Sequence, residues 1–455
     1  MKNRLTRRAF LGSSLAVGTV PWLTLCRPAL ADKAASSPLF GEAAAAAGWE
    51  AGSPGSFYFV QATDLHANDR GPLKMEDKYK GRNFADDIRG LMPKPAFVAI
   101  TGDLVSDTFR SPSSWPRAEE GFRLVQERVL SRLDMPCHII MGNNGCSPEA
   151  FHKVWTERPA YWSFTQEGVC FVGLYSYALW RPENGNHAGI VLDEEQRGWL
   201  ERQVAASRAR SLVLFTHEPL QDADCHLIRK QLAPVLAKFA GEIWNIAGHN
   251  HMNAAQSFTL GGKTVRVLQT STPVGDWKPD KGVCRLVFAS GGRLVGTALR
   301  RLTKDGEPLN FTDSRKLGEL PPCRTVEEAL CANASRVVLV GDGDKALRIE
   351  SVKVEDRLSN LRMPPGGSVT YKVPLGAEGT AFRQIALAAG LAAVVDLSRD
   401  GVSWVPAGKP AVKNGILRFD LAPVGKEGES LYIRVAAPLG KELRLYGFAL
   451  LPDPV

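Results

Sequence analysis

The chain has 455 residues, of which 44% are hydrophobic and 23% are charged, a composition and length typical of a folded protein with more than one domain. Its formal net charge is +8, but residues 1–31 contain five basic residues and no acidic residue, so the rest of the chain carries only +3. This charge is too small to favour a nucleic acid partner, and none is expected. The eight cysteines include no Cys-x-x-Cys pair, which disfavours a structural zinc site of that kind.

Residues 1–31 resemble a twin-arginine (Tat) export signal. Arg7 and Arg8 precede a short apolar stretch, 13–25, and the small-x-small run 29–31 is typical of a cleavage site. The apolar stretch contains glycine and proline and is too short to span a bilayer, so no permanent membrane anchor is expected. The expected location is periplasmic or secreted, reached through the Tat export machinery.

The next part of the chain changes from a simple composition to an alternating pattern. Residues 32–55 are rich in Ala, Gly, Ser and Pro and are predicted to be a flexible lead-in. Over residues 56–303, short apolar runs alternate with helical patterns, which predicts a layered α/β domain. The predicted strands are 57–62, 96–100, 138–141, 169–175, 211–215, 243–246, 265–269, 284–289 and 294–302. The predicted helices are 84–91, 116–133, 194–206 and 227–239.

The C-terminal third of the chain has a different sequence pattern. Residues 304–334 are predicted to be a linker with a short helical piece at 327–334. In residues 335–455, short alternating runs are separated by Gly, Pro, Asn and Asp, which favours an all-β sandwich. This part resembles galactose-binding-type jelly rolls, and its predicted strands are 336–340, 369–373, 392–397, 416–421, 431–436 and 443–451. Trp404 and Tyr432 could stack on a sugar, although a place in the sandwich core is the favoured interpretation.

Five short polar motifs each follow a predicted strand: Asp64-Leu65-His66, Gly102-Asp103, Gly142-Asn143-Asn144-Gly145, Thr216-His217 and Gly248-His249-Asn250-His251. Functional groups collect outside the carboxyl ends of the strands in open α/β sheets, so these motifs are expected to meet in space. Carboxylates and imidazoles without a thiolate suit hard to borderline divalent ions. A buried, hydrogen-bonded role would explain one histidine, but four histidines beside two aspartates at strand ends favour a metal site.

This ordered set resembles the calcineurin-like metallophosphoesterase family over about residues 55–300. The resemblance implies a layered β-sandwich core with flanking helices, ahead of the all-β sandwich. It also implies two divalent metal ions, such as Mn, Fe or Zn, and a phosphate ester substrate hydrolysed by a metal-bridging hydroxide. One metal would be bound by Asp64, His66 and His251, the other by Asn143, His217 and His249, and both by Asp103.

The chain departs from the family pattern at one motif. The family has Gly-Asn-His followed by an acidic residue, whereas this chain has Asn144 and Gly145 after Asn143. Asn144 can donate a hydrogen bond to a phosphate oxygen but cannot deliver a proton, and general acid catalysis typically contributes about 10²–10⁴-fold. The departure predicts slow turnover, a preference for leaving groups that need no proton, or a replacement acid. The spare imidazoles are those of His138, His152, His187 and His226, of which His187 is the first candidate.

Three functions are compatible with the sequence. The first is hydrolysis of phosphomonoesters or phosphodiesters. The second is a catalytically weak or inactive metal-dependent binding protein for a phosphorylated or glycan ligand, which the loss of the usual histidine at Asn144 favours. In the third, residues 335–455 are a glycan or surface adhesion module attached to a vestigial enzyme.

Overall fold

A computed structural model describes most of the chain after the first 37 residues. The described ranges are 38–67, 84–106, 115–145, 148–177, 180–181, 186–187, 190–273, 282–301, 310–325, 336–339, 348–350, 355–356, 361–374, 382–389, 392–413, 416–424 and 430–451. The export signal predicted for residues 1–31 lies outside these ranges. Within them, no helix combines the length and the hydropathy needed to cross a membrane.

The first domain alternates strands and helices, as its sequence pattern predicts. Its helices are α1 (Pro38–Ala46), α2 (Phe84–Arg89), α3 (Trp115–Arg128), α4 (Pro148–Val154), α5 (Glu194–Ala206) and α6 (His226–Leu236), with short 3₁₀ turns at Leu130–Arg132 and Ala223–Cys225. Its strands are β1 (Phe57–Ala62), β2 (Val98–Thr101), β3 (Cys137–Ile140), β4 (Trp162–Gln166), β5 (Val169–Gly173), β6 (Trp180–Arg181), β7 (Asn186–His187), β8 (Ser211–Phe215), β9 (Glu242–Ala247), β10 (Ala254–Leu260), β11 (Lys263–Gln269), β12 (Val283–Ser290), β13 (Arg293–Arg301) and β14 (Asn310–Lys316). The sequence pattern did not predict α1, α4, β4, β6, β7, β10 or β14.

Two sheets of this domain pack face to face. The first has the order β14-β13-β12-β1-β2-β3, and the second has the order β10-β11-β9-β8-β5-β4. Strands β1, β2 and β3 are parallel, as are β5, β8 and β9, so each group delivers its carboxyl ends to one edge.

The space between the two sheets is filled by aromatic side chains. The ring of Phe59 on β1 stacks on Phe97 at 4.7 Å and meets Phe171 of β5 edge-on at 5.3 Å. All six residues of β1 are buried, because one face of its sheet meets the other sheet and the opposite face is covered by helices. The predicted fold class, a layered β-sandwich core with flanking helices, is therefore confirmed.

The predicted flexible lead-in over residues 32–55 is wrong for residues 38–49. Helix α1 packs on the first sheet, where Phe40 lies 5.1 Å from the ring of Tyr58. The indole of Trp49 donates a hydrogen bond of 3.0 Å to the carbonyl of Ala289 on β12. The alanine-rich composition suggested a disordered segment, but two aromatic anchors bury it, since large rings contribute most of the buried area of such a short segment.

The predicted linker over residues 304–334 begins too early. Strand β14 pairs with the edge of β13 and extends the first sheet, and the amide of Cys323 donates to the carbonyl of Ser257 at 2.7 Å. Residues 310–325 therefore belong to the first domain, because their backbone hydrogen bonds are made with it. The predicted helical piece at 327–334 lies outside the described residues.

The second domain is an all-β sandwich, as the sequence predicted. Its strands are β15 (Arg336–Leu339), β16 (Arg348–Glu350), β17 (Glu355–Asp356), β18 (Leu361–Met363), β19 (Ser368–Pro374), β20 (Phe382–Ala389), β21 (Val394–Ser398), β22 (Val405–Pro406), β23 (Ala411–Lys413), β24 (Ile416–Val424), β25 (Ser430–Ala436) and β26 (Leu443–Leu451). One sheet has the order β17-β18-β26-β20-β24-β23, with β15 also on β26, and the other has the order β16-β19-β25-β21-β22. Strands β16, β17, β18, β20, β22 and β23 were not predicted.

Trp404 and Tyr432 lie outside the sandwich core, so the favoured interpretation of these two rings was wrong. Both side chains are half-buried, and Tyr432 alternates along β25 with core residues such as Leu431 and Ile433. The guanidinium of Arg434 lies 4.4 Å from the centre of the Trp404 ring. A cation therefore occupies one approach to that ring.

A small apolar surface joins the sandwich to the first domain. Ala386 and Ala449 are paired across β20 and β26, and both are fully buried although they alternate with the residues that face the sandwich core. Ala223 of the first domain packs against this surface, and Tyr446 lies beside it. Burial and the carboxylate of Asp224 raise the pKa of Tyr446 to about 12, which fits a close approach of the two domains here.

Candidate metal centre

The five polar motifs lie where the parallel strands of both sheets end. Asp64, Asp103 and Asn143 follow β1, β2 and β3 of the first sheet, whereas His217 and His249 follow β8 and β9 of the second. The strand ends approach so closely that little space remains between them. A Cβ atom on Gly102, which has a φ of +92°, would lie 2.4 Å from Nδ1 of His217. The glycine is therefore required by this approach.

The backbone at the site is held in an unfavourable conformation. Five side chains of the predicted ligand set belong to residues with positive φ: Asp64 (56°), His66 (47°), Asp103 (45°), His249 (69°) and His251 (51°). Each such conformation costs on the order of 1–3 kcal/mol for a non-glycine residue and persists only where its surroundings enforce it. Backbone hydrogen bonds across the strand ends do so, such as that from the amide of His66 to the carbonyl of Asp103.

Asp64, His66 and His251 form the first group of donors. Oδ1 of Asp64 lies 3.2 Å from Nε2 of His251 and 3.7 Å from Nε2 of His66. The two Nε2 atoms are themselves 3.2 Å apart. All three side chains are buried, and their donor atoms lie within 4.8 Å of one another.

Asn143, His217 and His249 form the second group. Oδ1 of Asn143 lies 3.1 Å from Nε2 of His217 and 3.2 Å from Nδ1 of His249, and these two nitrogens are 3.3 Å apart. Nδ1 of His217 donates to the carbonyl of Thr101 at 2.9 Å, which turns Nε2 towards the group.

Asp103 lies between the two groups. Its Oδ1 is 3.2 Å from Nε2 of His217, and its Oδ2 is 4.0 Å from Nε2 of His66. Oδ1 of Asp103 thus faces the second group of donors, and Oδ2 faces the first.

The spacing of the donors fits the size of a divalent cation. With metal–ligand bonds of roughly 2.1 Å, neighbouring ligands are about 3.0 Å apart in an octahedron and about 3.4 Å apart in a tetrahedron. The closest contacts within each group are 3.1 to 3.3 Å. The donors are carboxylate, amide and imidazole groups, which suit Mn²⁺, Fe²⁺ or Zn²⁺.

The charges of the site also favour a cation. Burial alone would lower the pKa of His217, but the carboxylates of Asp103 and Asp64 raise it to about 10. Burial opposes ionisation of Asp64 and Asp103, yet the neighbouring histidines hold the pKa of both carboxyls below the usual range. In contrast, burial and the charge of His217 lower the pKa of His249 to about 4. In the absence of a cation, a proton on His217 therefore compensates the two carboxylates.

The residues that depart from the family pattern are placed around Asp103. The backbone amide of Asn144 donates to Oδ1 of Asp103 at 2.8 Å, and its side-chain amide donates to Oδ2. Gly145 has a φ of +67°, and a Cβ atom there would lie 2.2 Å from Cγ2 of Val105. No acidic side chain fits at this position, and Asn144 holds the shared carboxylate.

Three of the other histidines named from the sequence, His138, His152 and His226, do not join the donor groups. The ring of His138 stacks on Phe164 at 4.4 Å, and burial lowers its pKa to about 4. His152 packs edge-on against Phe151, and His226 begins α6 with Nδ1 facing the carbonyl of Ala223. His187, the first candidate for a replacement acid, pairs through its backbone with Trp180, and its side chain lies outside the described residues.

Sequence reasoning overlooked Glu218, which follows His217 directly. Its side chain is buried, and Oε1 accepts a hydrogen bond from the hydroxyl of Tyr177. Burial raises the pKa of Glu218 to about 7, although the charge of His217 opposes the shift. The sequence feature that could have identified Glu218 is its place directly after a predicted metal ligand at the end of a strand.

A comparison with known families matches the region that contains this site. Residues 57–253 match the family described as calcineurin-like phosphoesterase. This segment is a calcineurin-like phosphoesterase domain. The chain is 27% identical over 231 residues to a probable glycerophosphodiester phosphodiesterase GpdQ of Arcobacter nitrofigilis, covering 47% of this chain and 77% of that protein. The predicted resemblance to the family is confirmed for this domain.

Solved structures align with parts of this chain. The sulfate thiohydrolase SoxB of Thermus thermophilus, in complex with glycerol, aligns with a TM-score of 0.34 and 14% identity. The alignment covers 56% of this chain and 58% of SoxB, so this chain spans less than two thirds of that protein. CsCBM6-3 from Clostridium stercorarium, in complex with cellobiose, aligns with a TM-score of 0.20 and 12% identity, covering 26% of this chain and 94% of that chain.

Proposed function

We propose that the protein hydrolyses phosphomonoesters or phosphodiesters with two divalent metal ions. The observation that carries this proposal is the convergence of seven donor side chains from five strand ends, with Asp103 between the two groups. The donors of the first metal are Asp64, His66 and His251, those of the second are Asn143, His217 and His249, and Asp103 is shared. The name of the Arcobacter relative supports a phosphodiester as the first substrate class to test.

The bound cations would supply a nucleophilic water at neutral pH and neutralise the phosphate oxygens. The protein itself holds the donor side chains in the orientation that metal binding requires. Asn144 donates two hydrogen bonds to Asp103 and thereby sets the orientation of the shared carboxylate. Because its amide is engaged there and cannot release a proton, the leaving group must depart without a proton from this residue. We expect aryl esters, whose leaving groups are stable as anions, to be better substrates than alkyl esters.

The test is an assay of purified protein with Mn²⁺ on aryl phosphate monoesters and diesters. Asp103→Ala should reduce activity at least 10³-fold, since it removes the shared carboxylate. Asn144→His should raise the rate on alkyl esters more than the rate on aryl esters, because only the former need a proton. Activity in Asp103→Ala equal to that of the unaltered protein would refute the dinuclear mechanism.

The second candidate is a metal-dependent protein that binds a phosphorylated ligand without turning it over. Asn144 is the observation that favours it, since no imidazole stands at that position and the amide is held on Asp103. Its signature would be phosphate binding with no turnover of any aryl ester, together with turnover in Asn144→His.

We further propose export through the Tat machinery to the periplasm, and contact of the sandwich with a glycan. Export is supported by the Arg7-Arg8 motif and tested by cell fractionation of the unaltered chain and of an Arg7→Lys, Arg8→Lys variant. Glycan contact is supported by the outward-facing rings of Trp404 and Tyr432 and by the galactose-binding-type pattern. It is tested by a glycan array with the full chain and with Trp404→Ala.

A further inference from the structure

Glu218 is a buried carboxylate beside the second donor group. Its side chain is 2% exposed. Oε1 accepts a hydrogen bond from Tyr177, whereas Oε2 has no hydrogen-bond partner among the described residues. Leaving a buried carboxylate oxygen without a partner is costly, so a binding partner for Oε2 is expected.

The position of Glu218 points to a metal ion as the binding partner of Oε2. A carboxylate oxygen of Glu218, a ring nitrogen of His217 and a ring nitrogen of His249 all lie within 4.8 Å of one another. Two ligands on opposite sides of one ion are about 4.2 Å apart for bonds of roughly 2.1 Å. An oxygen on the same ion can lie opposite only one of the two nitrogens and would be about 3.0 Å from the other, so the Glu218 side chain must move towards the ion to bind it.

We propose that Glu218 is a further ligand of the ion held by Asn143, His217 and His249, bound through Oε2. This inference rests on the proposed dinuclear centre. Tyr177 holds Oε1 and so restricts the rotation of the carboxylate. A second carboxylate at this ion, in addition to Asp103, favours a harder cation such as Mn²⁺.

The first experiment measures Mn²⁺ binding to the full chain after removal of metal with a chelator. The unaltered protein should bind two Mn²⁺, detected by titration calorimetry and by electron paramagnetic resonance. Glu218→Gln keeps the shape of the side chain and should weaken the second site about tenfold or more, leaving the first site unchanged. Glu195→Gln removes an exposed carboxylate elsewhere and is the matched control, with two sites of unaltered affinity.

A second measurement uses the unaltered protein and so does not depend on the folding of a variant. None of the seven other proposed donors is a glutamate, so in a chain labelled with ¹³C in its glutamate carboxylates Glu218 is the one labelled residue among the proposed donors. Addition of Mn²⁺ should shift a labelled carboxylate band in the infrared difference spectrum. A spectrum without any labelled band would overturn the proposal.

The outcomes separate this inference from the proposed function. If the unaltered protein binds no Mn²⁺, the dinuclear centre itself is refuted. If the unaltered protein and Glu218→Gln bind two Mn²⁺ with equal affinity, only the role of Glu218 is refuted.

Discussion

At the scale of single residues, His217 connects the charge of the site with its response to pH. Its ring lies against Asp103, donates to Thr101 and is fully buried. The carboxylates raise its pKa to about 10, compared with about 6.5 in an unfolded chain. The protonated ring therefore stabilises the metal-free protein fully below pH 6.5, and this contribution is lost as the pH rises through 10.

We expect the free energy of unfolding of chelator-treated protein to fall between pH 6.5 and 10, by at most about 1.4 kcal/mol per pH unit. Urea unfolding at several pH values measures it. With Mn²⁺ in excess, the affinity for metal should instead rise with pH, because the ion displaces the proton from His217. A metal-free stability that is constant over this range would contradict the assigned charge.

The residue scale also shows what the sequence could predict at the site. The polar motifs at strand ends predicted a metal site, the resemblance to the family implied which seven residues are the donors, and the structure brings all seven together. Two further features depend on three-dimensional contacts, and the motifs alone did not predict them. The amide of Asn144 turns towards Asp103, and Glu218 becomes relevant only because Tyr177 holds it beside His249.

At the scale of elements, α1 is a helix that the hydrophobic periodicity of the sequence did not predict. The segment Pro38–Ala46 has few strongly apolar residues, so its sequence does not show a helical stripe. Phe40 nevertheless contacts Tyr58, Phe288 and Phe311 on the first sheet. Strands buried on both faces, such as β1 and β8, were predicted well because they are continuous apolar runs. Strand β4 was missed because its side chains are only partly buried and its pattern is mixed.

The packing of α1 leads to a prediction about stability. Phe40→Ala should lower the free energy of unfolding by about 3–5 kcal/mol, since it removes a fully packed ring. Leu39→Ala is the control on the neighbouring residue, which is 38% exposed, and should change it by less than about 0.5 kcal/mol. Thermal and urea unfolding measure both. Equal effects of the two substitutions would show that α1 does not pack on the sheet in solution.

At the scale of the whole molecule, the apolar surface around Ala449 connects the sandwich to the loop near Ala223. The adjacent Asp222 accepts a hydrogen bond from Asn250 at 2.6 Å, and Asn250 stands between His249 and His251. Contacts therefore run from the sandwich to the loop that carries two proposed donors.

We expect Ala449→Glu to separate the domains, because it places a charge on a fully buried apolar contact. Calorimetry should then show two thermal transitions, and proteolysis between the domains should accelerate. Val412→Glu, at a residue that is 58% exposed on the same sheet, is the matched control and should leave unfolding unchanged. A single unaltered transition in Ala449→Glu would contradict the contact.

The donors of each proposed metal come from both sheets of the first domain. Asp64 and His66 follow a strand of one sheet and His251 follows a strand of the other. Likewise, Asn143 follows a strand of the first sheet and His217 a strand of the second. No isolated half of the domain contains a full set of donors. An ion would therefore act as a clamp between the halves, captured only after they have docked, and its release would mark the first step of their separation.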